Sequence, residues 1–266
     1  MLGWLCCKNL DCTSILVDGG KIEQIGDCLL YTNLLNKFYN DIIKNPEGYF
    51  LEGYVLNRQE LVENTGEESW ENTYIKLSSR DTFPIELRGS FCGFNLNLAG
   101  CKCFFADHVG SKALYYYLKE DKLIVSTRLQ WILRVLSDNN IEYHFNELSA
   151  KYMLTYGFML DDSTFISEVK RILPGNKIIL SGQGIKTMQY YLPSINHTLD
   201  VSEDTEIRMI DASFRMAVQR EFEKDREYGY KHLVDLSGGL DSRMVRWHPK
   251  PLCRLAMEVE LQVSVK

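Results

Sequence analysis

The chain has 266 residues, is 45% hydrophobic and 25% charged, and carries 30 basic against 36 acidic side chains for a net charge of −6. That is an ordinary globular balance, long enough for one large domain or two modest ones. An acidic chain with no run of Lys and Arg has no general attraction for nucleic acid or anionic lipid, and no apolar stretch nears the roughly 20 residues that cross a bilayer.

In chain order, residues 1–10 have no positive charge ahead of their short apolar run and do not read as a secretory signal, so a cytoplasmic chain is expected. Residues 13–17 and 21–25 flank Asp18-Gly19-Gly20 and read as a hairpin. Residues 34–43 carry apolar side chains at helical spacing, stopped by Asn45-Pro46-Glu47-Gly48. Residues 49–56 read as a strand, and Asn57 as the cap of a short helix over 58–64. Ser69 opens another, to about Leu77. Strict alternation over 90–98, the Ala99-Gly100 turn and residues 101–107 make the clearest hairpin. A further hairpin joins 113–118 to 122–127 through Lys119-Glu120-Asp121. Helices follow over 129–136 and 147–156, then a last ribbon over 177–180 and 185–191. Residues 193–204 lack periodicity and read as a linker. A strong amphipathic helix over 206–223 puts Ile207, Ile210, Phe214, Ala217 and Val218 on one stripe.

The eight cysteines include no CxxC pair, so neither a zinc ribbon nor a thioredoxin-type site is expected, and reduced thiols are the default. Cys101 and Cys103 share a strand face and read as small core residues. Tyr115, Tyr116 and Tyr117 alternate between strand faces and read as packing groups.

The chemistry-bearing stretch is the short apolar strand 231–236 followed by Ser237-Gly238-Gly239-Leu240-Asp241-Ser242. Two glycines let backbone N–H groups approach a phosphate, and the helix that follows adds unpaired donors and a partial positive charge. Ser237 and Ser242 add hydroxyls. Asp241 beside phosphates points to Mg²⁺ between them. No Lys stands at the P-loop position, so this is not a Walker A loop. Ser237 to Ser242 resemble the pyrophosphate-loop motif of ATP-pyrophosphatases, a likeness that implies activation of a carboxylate as its adenylate before an amine attacks.

The segments ahead of this motif extend the likeness. Leu51-Glu52-Gly53-Tyr54-Val55-Leu56-Asn57-Arg58-Gln59-Glu60-Leu61, Leu87-Arg88-Gly89-Ser90-Phe91-Cys92-Gly93-Phe94, Ala106-Asp107-His108-Val109-Gly110-Ser111-Lys112-Ala113-Leu114-Tyr115-Tyr116, Ile124-Val125-Ser126-Thr127-Arg128-Leu129-Gln130 and Arg171-Ile172-Leu173-Pro174-Gly175 stand in the order and spacing of the asparagine synthetase B family. The chain resembles that family from Tyr49 to about Val245. The resemblance implies a degenerate class II glutamine amidotransferase domain over 1–192, an αββα sandwich of two antiparallel sheets. A linker over 193–204 and the start of a parallel-sheet PP-loop domain over 205–266 follow. It implies ATP and Mg²⁺, held by Leu236, Ser237, Gly238, Gly239, Leu240, Asp241 and Ser242, with Asp241 the metal contact. The acceptor would be a carboxylate, aspartate or an analogue, and a homodimer is among the expected assemblies.

The resemblance does not carry over the glutaminase. Residue 2 is Leu2 where the family has its N-terminal Cys nucleophile, and Cys6 and Cys7 would need proteolysis to become terminal. Glu52 stands where the family has its oxyanion-hole Asn, and a carboxylate repels a developing oxyanion. The family's Ser-Asp segment aligns with Glu67-Glu68-Ser69-Trp70-Glu71, without the Asp. Asp107 and His108 read as part of a structural loop. Only 24 residues follow Ser242, with Pro249 and Pro251 early in them and residues 255–265 alternating like an edge strand. A truncated or frameshifted reading frame is therefore expected. The expected function is an ATP-dependent amide-forming ligase, inactive as it stands. The alternatives are a non-catalytic association module and a β-lactam synthetase-like ligase with another acceptor.

Overall fold

The computed structural model describes residues 3–18, 20–33, 43–98, 101–182, 184–193, 200–227, 229–231, 239–240 and 243–244. The chain divides into two compact units, Met1–Leu192 and Pro193–Lys266. In chain order the first unit contains β1 (Gly3–Lys8), a 3-10 turn (Thr13–Asp18), β2 (Lys21–Ile25), β3 (Cys28–Asn33), β4 (Ile43–Asn45) and β5 (Tyr49–Val55). Next come α1 (Arg58–Thr65), α2 (Trp70–Ser78), β6 (Gly89–Leu98), β7 (Cys101–Ala106), β8 (Tyr115–Lys119) and β9 (Lys122–Ser126). The unit closes with α3 (Leu129–Asp138), α4 (Glu147–Tyr156), β10 (Val169–Arg171), β11 (Asn176–Ser181) and β12 (Gly184–Gln189).

Two six-stranded sheets result, ordered β10-β8-β9-β1-β3-β2 and β12-β11-β7-β6-β5-β4, with every pairing antiparallel. Their inner faces enclose Trp4, Cys6, Phe50, Cys92, Phe94 and Phe104. The outer face of the first sheet buries Leu5, Cys7, Tyr117 and Ile124 under Ile132, Val135 and Leu136 of α3. The outer face of the second buries Leu51, Phe91 and Phe105 under Leu61 of α1 and Tyr74 and Leu77 of α2. The first unit is thus the expected αββα sandwich. Both faces of a central strand are covered in such a stack, so residues 91–96 of β6 are buried without exception.

Several expectations need correction. Residues 13–17 are not a strand. The Asp11 carboxylate accepts from the Thr13 N–H at 2.9 Å and the Thr13 hydroxyl at 2.8 Å, and this local capping starts a 3-10 turn. β2 pairs instead with β3 through Gly26, whose φ of 56° suits the tight turn. β1, β3, β4 and β10 carried no strand expectation. β1 is buried on both faces and so shows no alternation. Asn57 does not cap α1: its side chain donates to Glu86 O and accepts from the Arg88 N–H, tying two loops together. Ser69 does cap α2, accepting from the Asn72 N–H at 3.2 Å. Of the helix expected over 34–43, only Ile43 is described, and it opens β4.

In the second unit, α5 (Glu203–Glu227) has no buried residue, and Ile207 and Ile210 on its apolar stripe are exposed. No described helix is long and apolar enough to cross a membrane. The strand 232–236, Asp241, Ser242 and the alternating segment 255–265 lie outside the described residues.

Candidate functional site

The two candidate sites fare differently. Of the nucleotide loop, Leu236, Ser237, Gly238, Asp241 and Ser242 lie outside the described residues. Gly239 and Leu240 are described. Leu240 is helical and exposed, and Gly239 O accepts from Arg243 Nε at 3.1 Å. Arg243 and Met244 are also helical, while the rest of the helix expected after the glycines lies outside the described residues.

The second site lies between the sheets, where β5 runs beside β6. Glu52 faces Cys92 in the β5–β6 register and is buried. Its Oε1 accepts from Lys112 Nζ at 2.6 Å, and its Oε2 accepts from the Cys92 thiol at 3.5 Å. Burial first, and then the Glu52 carboxylate, hold the Cys92 thiol well above its ordinary pKa. Trp4 packs edge-on to Phe50 and Phe94, at 5.3 and 5.5 Å between ring centroids. Gly53, next to Glu52, has φ of 126°, and a Cβ there would sit 2.1 Å from Ser90 O. Only Gly lets β5 pass β6 so closely.

Lys112 reaches Glu52 because of the turn before it. Buried Asp107 accepts from the Val109 and Ser111 N–H groups at 3.1 Å each, the Lys112 N–H at 3.3 Å and the Ser111 hydroxyl at 2.6 Å. Asp107 is thus saturated as an acceptor and holds the turn. His108 packs edge-on to Phe91, Tyr190 and Tyr191, with Nε2 3.2 Å from Ile85 O. The two residues are structural, as their loop was expected to be.

Cys6 and Cys7, the two cysteines nearest the N-terminus, are not placed as nucleophiles. Cys6 and Cys7 are mid-strand in β1, buried on opposite faces, and both thiols are pushed up. For Cys6 the main causes are its hydrogen bond to the Cys28 side chain and burial, and for Cys7 the bond to Cys12 and burial. A thiol raised in this way stays protonated and unreactive. The Glu67–Glu71 segment is also structural. Ser69 caps α2, Glu67 pairs with Lys76 at 2.7 Å, and Glu71 accepts from Asn45 Nδ2 at 2.9 Å. Among the described residues no group of three His, Cys, Asp or Glu side chains could hold a metal ion.

An oxyanion hole needs preorganised donors aimed at developing negative charge. Glu52 offers two acceptor oxygens, both already engaged, so this arrangement cannot stabilise an acyl-transfer oxyanion. Lys112 and Cys92 were not singled out from the sequence. Lys112 lies in a quoted segment, but its partner is 60 residues away and only the fold joins them.

No protein-family model matches the chain, and no curated protein does. Among solved structures, it is similar to the allosteric regulatory enzyme of purine biosynthesis, at 12% identity and a TM-score of 0.39. It is also similar to glutamine phosphoribosylpyrophosphate amidotransferase from B. subtilis complexed with ADP and GMP, at 13% identity and a TM-score of 0.38. In each case 72% of this chain is covered, and the chain spans 43% of the other.

Proposed function

We propose that this chain is an asparagine synthetase-like, ATP-dependent amide-forming ligase whose glutamine site has become a structural ion pair. The Glu52–Lys112 pair carries the first half of this reading: a salt bridge stands where glutamine hydrolysis would need an amide donor. The motif Ser237 to Ser242 supports the second half. Its glycines and hydroxyls would hold the pyrophosphate of ATP, with Asp241 on Mg²⁺. Bound ATP would supply adenylation of a carboxylate, aspartate or an analogue, and release pyrophosphate. With the glutamine site closed, the attacking amine comes from another source than glutamine. The ion pair therefore favours an acceptor carrying its own amine, the β-lactam synthetase-like variant of this chemistry.

The test uses the full chain. Ammonia release from glutamine should stay at background, and calorimetry should show ATP binding that requires Mg²⁺ and weakens at least tenfold in Asp241→Ala. Thiol-sensitive glutaminase activity would refute the closed site. ATP binding unaffected by Asp241→Ala would refute the nucleotide assignment, and no ATP binding at all would leave a non-catalytic association module.

A further inference from the structure

Helix α4 lies on the surface of the first unit. Asn146 caps it by accepting from the Ser149 N–H at 3.1 Å, and Gly157, with φ of 79°, ends it. Ser149 is its one buried residue. Glu147, Lys151 and Leu154 follow at i, i+4 and i+7, so they share one stripe, on the side of the helix away from Ser149. All three are exposed, and Leu154, at 87%, is the most exposed large hydrophobic side chain among the described residues. Just before the helix Phe145 stacks on Phe165, at 6.3 Å between ring centroids, held by the Phe145–Ile166 bridge. Just after it Tyr156 meets Phe158 at 6.1 Å. Phe145, Leu148, Tyr156 and Phe158 are each more than half exposed.

With Leu154, those four side chains offer roughly 600 Å² of apolar surface, since an aromatic side chain presents about 150–250 Å². That is the upper end of what a monomer leaves to water. A standard interface covers about 800 Å² per partner, a little over half of it apolar, so this face is large enough for a specific contact. Anionic lipid is a poor occupant for a chain of net charge −6.

The face is also self-complementary, as a two-fold contact between like copies requires. Glu147 and Lys151 carry opposite charges one turn apart, and neither is ion-paired among the described residues. An antiparallel crossing of two α4 helices can set Glu147 of each copy against Lys151 of the other. The same register carries each Leu154 to the start of the other helix, beside its Phe145–Phe165 stack. A parallel crossing would instead set Lys151 against Lys151 and Glu147 against Glu147, which like charges oppose.

We propose that the α4 face is the interface of a homodimer, in which two copies of this chain pair their α4 helices antiparallel about a two-fold axis. The contact uses neither the Glu52–Lys112 cluster nor the nucleotide loop, and it stands independently of the function proposed above.

Sedimentation velocity of the full chain over about 1–200 μM tests it, with circular dichroism confirming that each variant keeps the fold. A monomer–dimer equilibrium with a dissociation constant below about 100 μM is expected. Leu154→Asp should weaken it at least tenfold. Glu147→Lys and Lys151→Glu each set like charges across the axis and should also weaken it at least tenfold. The double exchange Glu147→Lys/Lys151→Glu restores opposite charges and should return the constant to within about threefold of wild type. The proposal is overturned if the chain stays monomeric throughout, or if Leu154→Asp dimerises as the wild type does. It is also overturned if the double exchange remains as weak as the single ones.

Discussion

Replacing Lys112 with Met leaves the Glu52 carboxylate in the sandwich with, among the described residues, the weakly donating Cys92 thiol as its side-chain partner. Removing one partner from a buried ion pair costs about 3–5 kcal/mol, whereas an exposed pair is worth about 0–1 kcal/mol. Here the side chain of Glu52 is 10% exposed and that of Lys112 26%, so the pair lies nearer the buried limit but is reached by solvent on the lysine side. We expect a loss of about 2–3 kcal/mol, read as a fall in the urea midpoint by far-UV circular dichroism. The double variant Glu52→Gln/Lys112→Met removes both charges and keeps an acceptor for the thiol. It should lie within about 1 kcal/mol of wild type, a coupling of at least ~1 kcal/mol. Lys170→Met breaks a pair with Asp162 in which both side chains are 42% exposed, and serves as the control, at no more than ~0.5 kcal/mol. If Lys112→Met costs no more than this control, or if the double variant costs as much as the two single changes added, the buried-pair argument is wrong.

Gly53→Ala should destabilise the first unit by more than about 2 kcal/mol, since its Cβ meets backbone rather than a movable side chain; a midpoint within error of wild type would contradict the close approach of β5 and β6. In native-state alkylation mapped by mass spectrometry, Cys101, the partly exposed thiol among the described cysteines, should label ahead of buried Cys6, Cys7 and Cys92, and equal rates would show that β1 is not locked in the core. Exposed His144 is raised above its ordinary 6.5 first by its hydrogen bond to Glu168, so its NMR titration midpoint should fall toward 6.5 in Glu168→Gln. The sign follows: the raised His144 contributes stability below its unfolded pKa that is lost as pH rises through its folded value. Glu168, lowered by His144 against a burial penalty, contributes stability above its own unfolded pKa that is lost as pH falls through the folded one. Limited proteolysis should cut between the units first and leave a resistant fragment ending near Tyr191; a fragment of equal resistance extending past Ser242 would contradict the division at Leu192.

The local periodicities that depend on near neighbours were legible in the sequence. The Ser69 cap of α2 and the alternating tyrosines of β8 follow from side chains a few residues apart and stand as read; β6 pairs with β7 as expected, with a register shift between Asn95 and Leu98, while the Ala99-Gly100 turn lies outside the described residues. What the sequence hid depends on burial from both sides. A strand such as β1, covered by a second sheet on one face and by α3 on the other, has no polar face to reveal its period. Residues 13–17 misled for the opposite reason: their β-branched side chains favour a strand, but the Asp11 carboxylate captures Thr13 and turns the chain before any partner strand is reached. The sequence set Glu52 against an oxyanion-hole role only through the family resemblance, which gave the position, while the chemistry of a carboxylate supplied the objection. Why a carboxylate is tolerated there was decided by the tertiary structure, in which the Asp107 turn delivers the Lys112 ammonium from 60 positions away. A buried charge is stable only beside its counter-charge, and that pairing exists only once the two sheets have closed.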